Sequence, residues 1–163
     1  MATDSIGRIV IQQCLNAKLQ TKLTNEQEDP VFVKINRGIV IYVCFLKGAS
    51  EELVYKMVTT ALSVKLCETE DRGMVSIVDL PGDILIVPQA CLGGRLKGKG
   101  FQYHRIINKS EGFKLYEVFI KKCKELVAEN ELEEKINVKY GTYGNRQVLN
   151  METNGPYTHI IDF

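Results

Sequence analysis

Two runs constrain the fold of this chain more than any other feature: Ile39-Val-Ile-Tyr-Val-Cys-Phe-Leu46 and Ile84-Leu-Ile-Val87. Neither alternates apolar with polar residues, which is the pattern of a strand covered on both faces. A segment of helical periodicity follows each. After the first, Ser50 is placed to cap a helix with Glu51 and Glu52 in its opening turn, and Leu53, Val54, Met57, Val58, Ala61 and Leu62 make one apolar stripe. After the second, a helix is expected from Ser110, burying Phe113, Tyr116, Phe119, Ile120, Cys123 and Leu126 and turning Lys114, Lys121, Lys122 and Lys124 mostly to solvent. Buried strands separated by helices imply crossover connections and partly parallel pairing.

Shorter strands are expected on either side. Arg8–Gln13, Ala17–Leu23 and Val31–Ile35 precede the first run, and Met74–Val78 lies between the two runs. Ile136–Tyr140, Gln147–Met151 and Tyr157–Asp162 close the chain. The predicted architecture is α/β, with mixed β-sheet layers and two main helices on one side, and residues 1–163 form one domain. At 45% hydrophobic residues the chain can build its core without a metal or disulfides.

The net charge of +1 gives no global pull toward nucleic acid or membrane, so any polyanion contact must come from a local patch. Cys14, Cys44, Cys67, Cys91 and Cys123 are odd in number and lack C-x-x-C spacing, and His104 and His159 are far apart. No metal or cofactor is therefore expected. The chain opens without a signal-peptide pattern, and no apolar run nears the roughly 20 residues that cross a bilayer. A reduced, cytoplasmic setting is the expectation.

The segment Pro88-Gln-Ala-Cys-Leu-Gly-Gly-Arg-Leu-Lys-Gly-Lys-Gly100 carries the chemistry. Gly93, Gly98 and Lys99 match the spacing of a phosphate-binding P-loop. That reading fails, because Gly100 stands where a magnesium-binding Ser or Thr is required and the following residues look β-like rather than helical. What remains is a set of cations, Arg95, Lys97, Lys99, Arg105 and Lys109, with aromatic faces at Phe101, Tyr103 and His104. Such a mixture suits an RNA end, with charges for phosphates and rings for unstacked bases; by composition alone it also suits a solvated basic loop. Cys91 reads either as a nucleophile needing a nearby base or as a small apolar residue. Asn154-Gly-Pro156 marks a turn.

Taken together, Pro88-Gln-Ala-Cys-Leu92 and Asn154-Gly-Pro-Tyr-Thr158 resemble the paired signature motifs of the D-aminoacyl-tRNA deacylase family. Within it, Pro88, Ala90, Gly93-Gly-Arg-Leu-Lys-Gly98, Gln12-Gln-Cys14 and Gly141-Thr-Tyr-Gly-Asn-Arg-Gln-Val148 are similar to the animal branch, which relaxes chiral selectivity, rather than to the D-specific branch. Cys91 stands where that branch has Thr.

The resemblance implies a homodimer in which Gly155-Pro156 of one subunit enters the pocket of the other, with that peptide bond trans. It implies hydrolysis of the ester between an amino acid and the terminal adenosine of tRNA. The implied substrate is L-alanine wrongly attached to threonine tRNA, with glycine or D-amino acids as further cargo. Gln89, Ala90 and Cys91 are the expected catalytic residues, Ala90 and Cys91 acting through their main chain with help from the tRNA 2′-hydroxyl. Pro88, Leu92, Asn154, Gly155, Pro156 and Thr158 are expected to bind substrate, and Arg95, Lys97 and Lys99 to bind tRNA. A non-catalytic tRNA-binding module and a cysteine-dependent small-ester hydrolase are the rival readings.

Overall fold

The computed structural model describes residues 4–163; the first three residues of the N-terminal reading lie outside the described residues. The chain runs β1 (Gly7–Cys14), β2 (Asn16–Gln20), β3 (Phe32–Ile35), β4 (Gly38–Phe45), α1 (Glu51–Ser63), β5 (Cys67–Thr69), β6 (Gly73–Val75) and β7 (Asp83–Pro88). A 3₁₀ turn (Ala90–Gly93) follows, then β8 (Arg95–Lys97), β9 (Gly100–Gln102), α2 (Lys109–Glu129), β10 (Val138–Tyr140), β11 (Val148–Glu152) and β12 (His159–Asp162).

The two apolar runs are β4 and β7. They lie side by side and parallel, from Gly38 beside Asp83 to Val43 beside Pro88, at the centre of a five-stranded sheet ordered β10-β7-β4-β1-β12. On one face Ile9, Ile11, Ile39, Ile41, Val43, Ile84 and Ile86 pack against Val54 and Met57 of α1 and Phe119 and Cys123 of α2. On the other, Val40, Leu85 and Val87 are covered by Ala17, Leu19 and Ile35 from a three-stranded sheet, β11-β2-β3. That second layer covers only part of the face. Where β1, β4 and β12 run on, Val10 lies opposite both Tyr42 and Ile160, and Ile160 is 66% exposed.

Helix α1 starts where expected, with Ser50 Oγ accepting from Leu53 N–H. Helix α2 starts earlier than expected: Asn108, not Ser110, caps it through Oδ1 accepting from Glu111 N–H at 2.9 Å. An asparagine side chain caps as well as a serine, so the helix begins ahead of Ser110. Phe113 is not buried as expected but 46% exposed, and Leu115 takes the inward position. Strand β5 was not expected; it pairs with β6 as a small hairpin.

Asp83, at the start of β7, is buried among polar partners. Its carboxylate accepts from Asn36 N–H at 2.8 Å, Asn137 N–H at 2.9 Å and Asn137 Nδ2 at 3.1 Å. It thereby ties the turn before β4 and the entry to β10 to one strand end.

Burial pushes the thiol of Cys44 up to about 11 and that of Cys123 up to about 12, from an ordinary value of 9.0. The folded state favours the neutral thiol, so their contribution to stability is complete below pH 9 and is lost as pH rises toward the folded values. Thermal unfolding under reducing conditions should show a midpoint that is flat below about pH 8.5 and falls above about pH 9. A midpoint unchanged to pH 11 would contradict the assignment of these two thiols.

Candidate active site

β7 ends at Pro88, and the chain folds over the carboxyl edge of the central strands in the 3₁₀ turn. Gln89 N–H donates to the Val43 carbonyl at 2.9 Å, fastening the turn to β4. Gly93 makes the close approach possible: a Cβ there would lie 2.6 Å from Leu46 Cδ2 and 2.9 Å from Ile106 Cγ1. Within the turn, Leu92 N–H donates to Gln89 O and Gly94 N–H to Cys91 O at 3.0 Å. Among the described residues, the N–H groups of Ala90 and Cys91 donate to no protein acceptor. They are the orphan donors that the start of any such turn leaves behind.

Beside Ala90 opens a cavity of about 360 Å³, lined by Pro88, Ala90, Ile106, Ile107, Lys109, Tyr143, Gly144 and Asn145. Tyr143 enters because position 112 in α2 is glycine; a Cβ there would lie 2.1 Å from the Tyr143 hydroxyl oxygen. Tyr116 fixes the same loop, its hydroxyl donating to the Gly141 carbonyl at 2.7 Å. Lys109 occupies the first turn of α2, where the helix dipole disfavours a cation, and pairs with no carboxylate among the described residues. Lys109 was expected only as one of the segment's cations, and Ile106, Ile107, Tyr143, Gly144 and Asn145 were not among the expected site residues. The Gly141–Val148 motif was the one signal that pointed toward the last three.

Cys91 is exposed, and the hydrogen bond to its sulfur comes from Gln89 Nε2 at 2.6 Å. Among the described residues no histidine or carboxylate side chain bonds to it, and no cluster of His, Cys, Asp or Glu is arranged to hold a metal. His159 instead packs edge-on against Tyr157, the ring centroids 4.6 Å apart.

The second motif lies elsewhere in the protomer. Asn154, Gly155, Pro156 and Thr158 form an exposed turn. Asn154 and Gly155 line a separate cavity of about 590 Å³ with Gln13, Arg37, Glu68 and Glu70. One protomer therefore brings Pro88–Leu92 together but does not bring it to 154–158.

The Gly155–Pro156 bond is cis, which corrects the trans bond implied by the animal-branch resemblance. An X–Pro amide prefers trans by only about 0.5–1 kcal/mol, no more than the hydrogen bonds that shape a turn. Here Gln13 N–H donates to the Pro156 carbonyl at 2.9 Å and Gly155 N–H to Thr153 Oγ1 at 3.2 Å. Gln12 links the turn to the sheet, donating to Thr158 Oγ1 at 3.1 Å and accepting from the Tyr42 hydroxyl at 2.6 Å. Gln13 Nε2 is buried without an acceptor.

The glycine-rich basic segment is a projecting β8–β9 hairpin rather than a loop, with Arg95 opposite Gln102 and Lys97 opposite Gly100. Arg95, Lys97 and Lys99 are exposed on it. Arg105 is engaged otherwise, donating to the Ser5 carbonyl at 3.0 Å beside Asp4.

A parallel-centred sheet with helices on one face and a pocket at the carboxyl edge defines an α/β fold, in which ligands are placed at strand ends. Comparison with known proteins is more specific. The model of the D-Tyr-tRNA(Tyr) deacylase family matches residues 10–162, and the chain belongs to that family.

The chain is 55% identical over 158 residues to D-aminoacyl-tRNA deacylase 2 of Danio rerio, covering 96% of this chain and 99% of that one. It is 54% identical over 159 residues to the Homo sapiens protein of the same name, covering 96% and 95%. Among solved structures it resembles a probable eukaryotic D-amino acid tRNA deacylase, with a TM-score of 0.78, 29% identity and coverage of 96% and 99%. A c-Myc DNA unwinding element binding protein shares the fold at a TM-score of 0.80 and 21% identity, covering 96% and 98%. The resemblance to animal deacylases is thus borne out. Among the described residues no helix is long and apolar enough to cross a membrane.

Proposed function

We propose that this chain is an aminoacyl-tRNA deacylase that removes a wrongly attached small amino acid, L-alanine on threonine tRNA above all, and glycine or D-amino acids besides. The observation that carries the reading is the pair of N–H groups at Ala90 and Cys91 that meet no protein acceptor, in a turn whose Ala90 lines the cavity. Ester hydrolysis needs donors where negative charge develops, and one well-placed amide donor contributes about 3 kcal/mol.

Water attacks the acyl carbonyl carbon, and the oxyanion is held by these amides. The tetrahedral intermediate then expels the adenosine 3′-oxygen, which leaves as a hydroxyl with a proton from the attacking water. The tRNA 2′-hydroxyl orients that water. Gln89 positions the turn through Val43 and Cys91. Pro88 and Leu92 flank the acyl group.

The site is completed by a second copy. On the uncovered sheet face, Arg8 at one end of β1 donates to the Leu92 carbonyl, and Gln12 at the other end holds Thr158. In the proposed dimer two copies meet through this face, and each protomer's 154–158 turn covers the partner's 88–92 turn. Ile160 supplies the exposed apolar surface for that contact. Asn154, Gly155, Pro156 and Thr158 then wall the pocket in trans.

Specificity is steric. Ala90 leaves room for a small side chain, and a mismatch of one methylene is worth about 1–3 kcal/mol. The test measures deacylation of one tRNA charged with Ala or with Thr, by wild type and Cys91→Ala. Alanine should be released at least tenfold faster, and Cys91→Ala should stay within tenfold of wild type. Equal rates would end the steric account, and a thousandfold loss in Cys91→Ala would favour thiol catalysis.

Arg95, Lys97 and Lys99 meet tRNA phosphates. Lys97→Ala with Lys99→Ala should weaken tRNA binding and lower the slope of log affinity against log salt by about 1.4–1.8 for two lost contacts. Unaltered affinity across salt concentrations would remove the hairpin from the tRNA interface.

A further inference from the structure

Phe101 in β9 and Tyr103 just beyond it stand on the hairpin beside the active-site turn, 59% and 48% exposed. Their ring centroids are 6.5 Å apart and their planes differ by 26°. That separation is near the outer limit of a direct aromatic pair. It is close to the roughly 6.8 Å that a base stacked on both faces requires, twice the base spacing of about 3.4 Å in a nucleic-acid strand.

The floor between the rings is Gly94. A Cβ there would lie 2.7 Å from Tyr103 Cε1 and 3.2 Å from Phe101 Cδ1, so any side chain would push into the gap. Gly94 also closes the 3₁₀ turn through its N–H to Cys91 O. The slot thus lies about 8 Å of backbone from Ala90, at about 2 Å per residue, a span of one or two nucleotides. Arg95, Lys97 and Lys99 on the same hairpin provide charge complementary to a phosphate strand.

From this geometry we infer that Phe101 and Tyr103 form a stacking slot for one unpaired base of the tRNA 3′ strand, just before the adenosine that carries the amino acid. The inference rests on the deacylase reading and extends it to a second nucleotide. It accounts for two large aromatic rings left exposed around a glycine.

The test compares aminoacyl-tRNA with the same amino acid on adenosine alone, in Phe101→Ala, Phe101→Trp and Tyr103→Ala. Each alanine variant should raise KM for the tRNA roughly tenfold with kcat within about twofold, as expected for losing one base–aromatic stack. Hydrolysis of aminoacyl-adenosine should not change, and Phe101→Trp should behave as wild type. Equal losses on both substrates, a tryptophan variant as weak as the alanine one, or a change of oligomeric state in Phe101→Ala would overturn the slot. If wild type hydrolyses neither substrate, the deacylase reading falls. The slot is then judged by affinity for a short RNA with an intact or an abasic penultimate nucleotide, and equal affinity overturns it.

Discussion

Ile160→Asp is expected to yield a folded monomer whose deacylation is at least a hundredfold slower than wild type. Ile160 is 66% exposed in the protomer, so a polar residue there should move the unfolding midpoint little. At a two-fold interface the same residue meets its own copy's surface, and the aspartate must be desolvated near a like charge. If the pocket is walled by the partner's Pro156, losing the dimer removes that wall from every site at once. Light scattering and single-turnover deacylation check this together. A monomeric wild type, or a monomeric variant with full activity, would defeat the composite site.

Asp83→Ala should be the most destabilising single change outside the apolar core, by about 3–5 kcal/mol. Three hydrogen bonds converge on that carboxylate, and bonds to charged groups are worth about 1.5–3 kcal/mol each without adding fully. Asp83 is itself only 5% exposed, so the donors it leaves behind are largely withdrawn from solvent. Denaturant unfolding with an unchanged m-value checks it; Asp83→Asn, which keeps acceptor capacity, should lose less. A loss below about 1 kcal/mol in Asp83→Ala would show that the bonds at this strand end are replaced by water.

Much of the frame was legible because its signals are local. Continuous apolar runs marked β4 and β7, and a helical stripe between them required a crossover, hence parallel strands. The Ser50 cap and the strand-end position of 88–92 followed in the same way. The two motifs, read by resemblance, named the family. Three details resisted. Gly93–Gly100 reads as a flexible loop because the hairpin it forms is short and exposed, with no apolar alternation to betray it. Phe113 fits a helical stripe but falls on the wrong side of it, since the stripe's edge depends on what packs there. The peptide isomer at Pro156 is not written in its neighbours, since the two forms of an X–Pro bond differ by only about 0.5–1 kcal/mol.

What the order of residues determined by itself was therefore the set of elements, their faces and the chemical character of the pocket's turn, all consequences of periodicity, capping and backbone freedom within a few neighbours. Tertiary structure alone decided that Tyr143 enters the pocket through the space at Gly112, that Asp83 joins Asn36 to Asn137, and that Gly93 fits against Leu46. Those facts arise from close approaches between segments distant in the chain. No local propensity encodes such approaches, because their free energy appears only once both segments are packed.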